Sequence, residues 1–233
     1  MTNTEFKDKV ILILGGTGSI GSAIGDVFER VGAVVYRQGK GGPHAADISI
    51  SGDIEKLIEK IISDHGRIDI LVNAISAPIA IARFEKKKWS DFEDHLNLQL
   101  KAAVISAQII VPVMKKNGGG RIINILTTYV DGKIPGGLSD YVTAKYAMLG
   151  LTKSLAKELG KYNITVNAVS PGFIENNFTK MVPEKAKEII IRETPVGRLA
   201  KEQDVVEAVL FLASEKSPFI SGVNIQVAGG ADL

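Results

Sequence analysis

Short, unbroken apolar runs recur along this chain, separated by longer segments of helical period, and that alternation restricts the fold more than any other feature. Val10–Leu14, Ala33–Tyr36, Ile68–Val72, Arg121–Leu126, Thr165–Val169 and Asn224–Val227 read as strands. They lack the in-out pattern of a half-exposed sheet, so both of their faces should be covered, the habit of parallel sheets. Between them lie helical segments, most clearly Ser51–His65. There Ile54, Leu57, Ile58, Ile61 and Ile62 follow three-and-four spacing, and Ser51 stands where it can cap the start. Strand and helix in alternation predict an α/β fold, a doubly wound parallel sheet with helices on both faces.

Two segments depart from the pattern. Only about ten residues separate Tyr36 from Asp47, with glycines at 39, 41 and 42, so an irregular loop is expected there rather than a helical crossover. Asp91–Met114 is apolar almost all round after its first turn, which predicts a helix buried by the sheet on one side and by a partner subunit on the other. Pro112 late in it should kink it. With no repeat, low-complexity tract or linker, residues 1–233 read as one domain. Its dinucleotide-binding part covers about 1–130 and its catalytic and substrate part about 128–233.

Composition excludes several function classes. The chain has no cysteine, which removes disulfides, thiolate metal sites and thiol nucleophiles. His44, His65 and His95 share none of the short helical spacings of zinc enzymes, so no metal is expected. Net charge is +2 with both signs dispersed, which implies no nucleic-acid partner. The polar start Met1–Lys9 does not read as a secretory signal, and Ala102–Met114 is too short to span a bilayer. A cytoplasmic protein with a small-molecule substrate is the expectation.

The first strand runs directly into Gly15-Gly16-Thr17-Gly18-Ser19-Ile20-Gly21, with a helical pattern following. Glycines allow a sharp turn and close backbone approach to a pyrophosphate, and a helix start supplies free N–H groups, so Gly15, Thr17, Gly18, Ser19, Ile20 and Gly21 form a candidate phosphate cradle. The second strand ends in Tyr36-Arg37-Gln38-Gly39-Lys40 without the acid that usually holds the ribose hydroxyls of NAD. Arg37 and Lys40 can instead neutralise a 2′-phosphate, which favours NADP(H) over NAD(H). The plainer alternative is two solvated bases.

Thirteen residues after Thr128 comes Tyr141, and four further on Lys145. Residues four apart share a helix face, and an ammonium beside a phenol favours the phenolate, lowering a pKa that starts near ~10. Such a tyrosine can protonate a carbonyl oxygen, or deprotonate an alcohol, while hydride moves at carbon. The pattern alone also fits a surface tyrosine stacked on a lysine stem.

Taken with these motifs, the chain resembles the short-chain dehydrogenase/reductase family along nearly its whole length. The resemblance rests on Gly15–Gly21, Asp47-Ile48, Leu71–Ala74, Gly120–Ile125, Tyr141–Lys145, Gly150–Ala156, Val166–Ile174, Pro195–Leu199 and Gly229-Gly230. Within the family it is most similar to β-ketoacyl-carrier-protein reductases and their relatives of other substrate preference. The resemblance implies a Rossmann-type fold and a dimer or tetramer formed through helices 91–114 and 141–160. Tyr141 would be the acid/base, Lys145 would bind the nicotinamide ribose and tune it, and Thr128 would position the substrate oxygen. Asp47 and the Ile48 backbone would hold the adenine, Asn73 and Ala74 would line the cofactor, and Pro171, Gly172 and Ile174 would flank the nicotinamide.

Four positions depart from the family pattern. Leu14 replaces a leading threonine and Ser19 a middle glycine, Asn73-Ala74-Ile75-Ser76 replaces Asn-Asn-Ala-Gly, and Asn176 stands where threonine is common. Most consequentially, Gln99 occupies the place of the catalytic asparagine, with Asn97 on a different helix face. A shift on the order of 1 Å can cost roughly 100-fold in rate. Two further readings therefore stand beside a carbonyl reductase: an NADP(H)-binding protein with little catalysis, and an NAD-dependent alcohol or sugar dehydrogenase. Lys86-Lys87-Lys88-Trp89 reads as a solvated helix start rather than a docking patch for an acidic carrier, His65 as a structural helix end, and Glu175–Arg192 as an amphipathic flap.

Overall fold

The computed structural model describes residues 4–41, 44–47, 52–175, 179 and 182–231. Among them, six strands form one parallel sheet: β1 (Val10–Leu14), β2 (Val34–Gln38), β3 (Ile70–Asn73), β4 (Gly120–Ile125), β5 (Ile164–Pro171) and β6 (Asn224–Val227). Their order is β2-β1-β3-β4-β5-β6, every neighbouring pair parallel. The apolar runs thus form strands at every place expected, with ends shifted by no more than two residues. The order reverses between β1 and β3, and in such sheets the crevice outside the carboxyl ends at that switch point is where ligands bind.

The helices are α1 (Ser19–Arg30), α2 (Asp53–His65), α3 (Trp89–His95), α4 (Ala102–Lys116), α5 (Ser139–Leu159), α6 (Glu184–Glu193) and α7 (Glu202–Ala213). Alternate residues of β1 explain why the strands read as continuously apolar. Ile11 and Ile13 point into a core shared with Ile24 and Phe28 of α1 and Val205 and Val209 of α7. Val10, Leu12 and Leu14 point to the other side, against Ile54, Ile58 and Ile61 of α2 and Ile110 and Met114 of α4. Each fully buried side chain of this size contributes roughly 1.5–3 kcal/mol. A smaller cluster joins Ala103 of α4 to Met148 and Leu149 of α5 and Ala168 of β5.

Two expectations change in detail and a third holds. Helix α2 starts at Asp53 behind left-handed Gly52, and Ser51 lies outside the described residues. The loop after β2 is irregular as expected, a single bridge joining Gly39 to Ala45. The long apolar helix begins at Trp89 and runs to Lys116, with a π turn at Leu96–Lys101 between α3 and α4. This 28-residue rod is long and apolar enough to cross a membrane by length and composition, with a mean hydropathy of 1.5 in its most apolar stretch. Its buried stripe, Ala103, Ala107, Ile110 and Met114, packs instead into the cores beside the sheet.

Candidate active site

The loops leaving β1 through β5 converge on one cavity of about 620 Å³, lined among others by Gly15, Thr17, Gln38, Ala74, Thr127 and Gly172. Its upper wall includes two glycines whose places tolerate no side chain. Gly15 has φ +72, and a Cβ there would lie 2.7 Å from the Ala74 carbonyl oxygen. At Gly21 a Cβ would overlap the Gly15 carbonyl oxygen. Helix α1 begins beyond Gly18 with no side-chain cap and no acid in its first turn, so its leading N–H groups remain for an anion. Thr17, Gly18, Ser19 and Ile20 line the same wall. This cradle suits the pyrophosphate of a dinucleotide.

Arg37 does not face that cavity. Strand alternation sends it beneath α1, where its guanidinium pairs with Asp26 at 2.7 Å and Glu29 at 2.7 Å. The role expected for Arg37 at a 2′-phosphate is corrected accordingly. Gln38 points the other way, is buried, accepts from the Gly15 N–H at 3.0 Å and donates to the Ala46 carbonyl at 2.6 Å. The residue beyond the strand is then Gly39, where a Cβ would strike the Thr17 hydroxyl. Lys40 follows, 77% exposed, with its ammonium 3.3 Å from Asp47. Both Lys40 and Asp47 line the cavity, whereas Ile48 lies outside the described residues.

Asn73 also changes role. It is buried between strands, donating to the Asn124 side chain at 2.6 Å, and Asn124 in turn donates to Thr152 at 2.8 Å. This amide chain ties β3, β4 and α5 together, and only Ala74 of the expected pair lines the cavity. Pro171, Gly172 and Ile174 line it as expected.

Tyr141 and Lys145 stand one turn apart on α5 and close the cavity floor, 8% and 3% exposed. The Lys145 ammonium nitrogen donates to the Ile125 carbonyl at the end of β4, 2.8 Å away, and lies 5.7 Å from the Tyr141 ring centre. Burial dominates both titrations. It pushes the Tyr141 phenol up to about 12, against a lowering hydrogen bond with Thr127. It pushes the Lys145 ammonium down to about 7. Burial thus works against the phenolate-favouring effect expected of the lysine, since desolvation disfavours the charged form of each group.

The hydroxyl that meets the phenol belongs to Thr127, not Thr128. Counting back from Tyr141 crosses a loop of free length, whereas the end of β4 is set by sheet register, Asn124 opposite Asn73 and Ala168. Placing the hydroxyl from the strand end identifies it correctly. Thr128, 2% exposed, lines the cavity beside it.

Gln99 lies in the π turn, 3% exposed, while Asn97 is exposed. The Gln99 amide nitrogen is 3.1 Å from His95 Nδ1, and its Oε1 is buried without a hydrogen-bond partner among the described residues. His95 packs edge-on against the Tyr141 ring at 5.7 Å. Behind it Lys87, expected in solvent, is 2% exposed in its side chain and pairs with Asp140 at 2.6 Å. No signal three or four residues away reveals this partner, because Asp140 comes from α5. His65 is structural as expected, 2.7 Å from the Tyr36 hydroxyl. Among the described residues no three acidic or imidazole side chains are placed to hold a metal. Of the flap, α6 brings Ile190 and Glu193 to a second cavity of about 760 Å³ that shares Thr128, Tyr129, Gly172 and Phe173 with the first. Asn176, Asn177 and Met181 lie outside the described residues.

Known proteins resemble this chain in sequence and fold. A family model described as enoyl-(acyl carrier protein) reductase matches residues 20–232. The 3-oxoacyl-[acyl-carrier-protein] reductase of Thermotoga maritima is 34% identical, the match covering 97% of this chain and 98% of that protein. The Escherichia coli protein of the same name is 31% identical over 97% and 98%. A 3-ketoacyl-(acyl-carrier-protein) reductase from Brucella melitensis complexed with NADH superposes with a TM-score of 0.90 at 27% identity, covering 98% of this chain and 100% of that one. A short-chain dehydrogenase from Leptospira borgpetersenii with bound NAD+ gives a TM-score of 0.90 at 27% identity, over 98% and 94%.

Proposed function

The chain belongs to the short-chain dehydrogenase/reductase family and is a nicotinamide-dependent oxidoreductase, and on that footing we propose that it reduces the ketone of a β-ketoacyl thioester with NADPH, Tyr141 giving the proton. The observation that carries the reading is the buried trio Tyr141, Lys145 and Thr127 on the floor of the cavity whose roof is the glycine cradle. When bound, the dinucleotide supplies the hydride. The residues of the chain supply the rest. A phenol raised to about 12 carries its proton at neutral pH, the state needed to protonate the oxygen of a ketone as its carbon is reduced. Thr127 holds the phenol and the substrate oxygen in register. Lys145, near 7, exchanges protons readily at working pH and can return one to the phenol after each turnover.

The substrate class draws on the names of the relatives and on the second cavity. Its lining mixes Ile134, Ile190 and Val196 with Lys133 and Arg198, which suits an acyl chain followed by a polar carrier arm. The cofactor form draws on Gly39 and Lys40. No acid stands at the end of β2, and Lys40 is the cation there for a 2′-phosphate, with Asp47 beside it. Assembly draws on the Trp89–Lys116 rod, apolar beyond its buried stripe, which pairs with its counterpart and with α5 in a dimer or tetramer.

Three measurements check these points. Tyr141→Phe should lower kcat for acetoacetyl-coenzyme A reduction by roughly 100-fold or more. Activity within twofold of the parent contradicts the role of Tyr141, and NADPH binding without turnover in the parent favours the weakly catalytic reading. Lys40→Ala should weaken NADPH by roughly tenfold and NADH little, while Arg37→Ala should change neither more than about twofold; a parent that prefers NADH contradicts the cofactor assignment. Light scattering at micromolar concentration should give a dimer or tetramer, and a monomer removes the helix pairing.

A further inference from the structure

Directly behind Tyr141 lies a polar cluster that the proton transfer from Tyr141 leaves idle. Asp140, beside Tyr141 on α5, has a side chain 4% exposed and takes the Lys87 ammonium at 2.6 Å; Lys87 also donates to the Ala80 carbonyl at 2.5 Å. His95 of α3 places Nε2 3.8 Å from the Asp140 carboxylate and Nδ1 3.1 Å from the Gln99 amide nitrogen. An amide nitrogen only donates, so Nδ1 accepts and the imidazole proton sits on Nε2, facing the carboxylate. The free end of Gln99 is thereby assigned. Its Oε1 is buried, has no partner among the described residues, and is held in place because the other end of the amide is tied. A buried acceptor left open in this way calls for a partner, for which an ordered water has the right size and chemistry.

The π turn gives a reason for the arrangement. Inserting a wider turn at Leu96–Lys101 re-aims the side chains next to it, and such turns concentrate at functional sites. Glutamine has a long side chain with three rotatable torsions, so its amide needs a fixed anchor to present oxygen at a defined point. We propose that His95, held by the Lys87–Asp140 pair, is that anchor: a positioning residue that accepts the Gln99 amide proton and so fixes Gln99 Oε1 as the acceptor for a buried water behind Tyr141. The inference rests on the catalytic reading of Tyr141 and Lys145.

The arrangement carries a pH dependence. Protonated His95 donates from Nδ1, so the Gln99 amide must turn over and its NH₂ replaces Oε1 at the open position. Asp140 on α5 and Asp94 on α3 favour the imidazolium, while Lys87 before α3 and Lys145 on α5 oppose it, and the neutral Tyr141 ring covers one side. Burial outweighs these and holds the imidazole below its ordinary range, so it is neutral at pH 7 and the loss linked to it comes on the acid side.

The test uses His95→Leu, which removes the acceptor, and His95→Asn, whose side-chain oxygen can stand near Nδ1. With NADPH and acetoacetyl-coenzyme A, His95→Leu should lower kcat by roughly tenfold or more while KM for NADPH stays within about twofold. In a Gln99→Ala background the same change should cost less than about twofold, because there is no amide left to position. His95→Asn should stay within about threefold of the parent and lose the imidazole-linked fall at acid pH. Nitrogen-15 NMR of the three imidazoles reads the contact without any substrate: His95 should be the Nε2–H tautomer at pH 7, with Nδ1 shifted by Gln99→Ala. Equal loss from His95→Leu in both backgrounds overturns the proposal, as does a proton on Nδ1 at pH 7. If His95→Leu does not fold, the tautomer and the His95→Asn pH profile decide. Full activity of Tyr141→Phe beside the expected tautomer sinks the catalytic reading alone and leaves the His95–Gln99 contact standing.

Discussion

The site depends on two ionisable groups held out of water, with burial outweighing every charge near them. Tyr141 and Lys145 sit between α5 and the end of β4, and the Lys145 ammonium makes its hydrogen bond to a backbone carbonyl rather than to a carboxylate. Desolvation then moves the two titrations in opposite directions, the phenol up to about 12 and the ammonium down to about 7. In the proposed reaction, a neutral phenol beside an amine that titrates at working pH would serve as a proton donor with a refill. Nothing about that requires the lysine to pull a proton off the tyrosine in advance.

The rest of the structure keeps this pair dry and aimed. Asn73, Asn124 and Thr152 lock the strands under α5 to the helix itself, so the floor of the cavity cannot shift independently of the sheet. Opposite, Gly15 packs so closely against the Ala74 carbonyl that no side chain fits there, and the Gly15–Gly21 turn forms the roof. Floor and roof arise from different halves of the sequence and meet because the strand order reverses between β1 and β3. The polar cluster of Lys87, Asp140, His95 and Gln99 completes the wall behind the phenol.

Much of this is legible in the sequence, for reasons that also show where legibility ends. Strands buried on both faces write themselves as continuous apolar runs, so β1 through β6 can be placed within two residues. The turn Gly15–Gly21 and the Tyr141–Lys145 spacing are local patterns and keep their places. Arg37 is different, because charge alone does not say which face of a strand a side chain takes, and α1 offers it Asp26 and Glu29. Thr128 and Thr127 are told apart by strand register, which a count of residues across a loop does not carry. Lys87 reads as solvated because its partner Asp140 lies on another helix, a contact that only the packing of α5 beside α3 creates. The direction of the tyrosine shift is hidden for the same kind of reason: pair spacing is visible in a sequence, but depth of burial is not.

The most direct test of that central balance is a titration of phenolate ultraviolet absorbance in the protein without cofactor, taken as the difference between the parent and Tyr141→Phe. The Tyr141 phenol should stay protonated well past the ordinary tyrosine value of ~10, its signal emerging only toward about 12. A phenolate step from Tyr141 near neutral pH would show instead that the lysine charge outweighs burial, and desolvation could not then be what keeps the proton on the phenol.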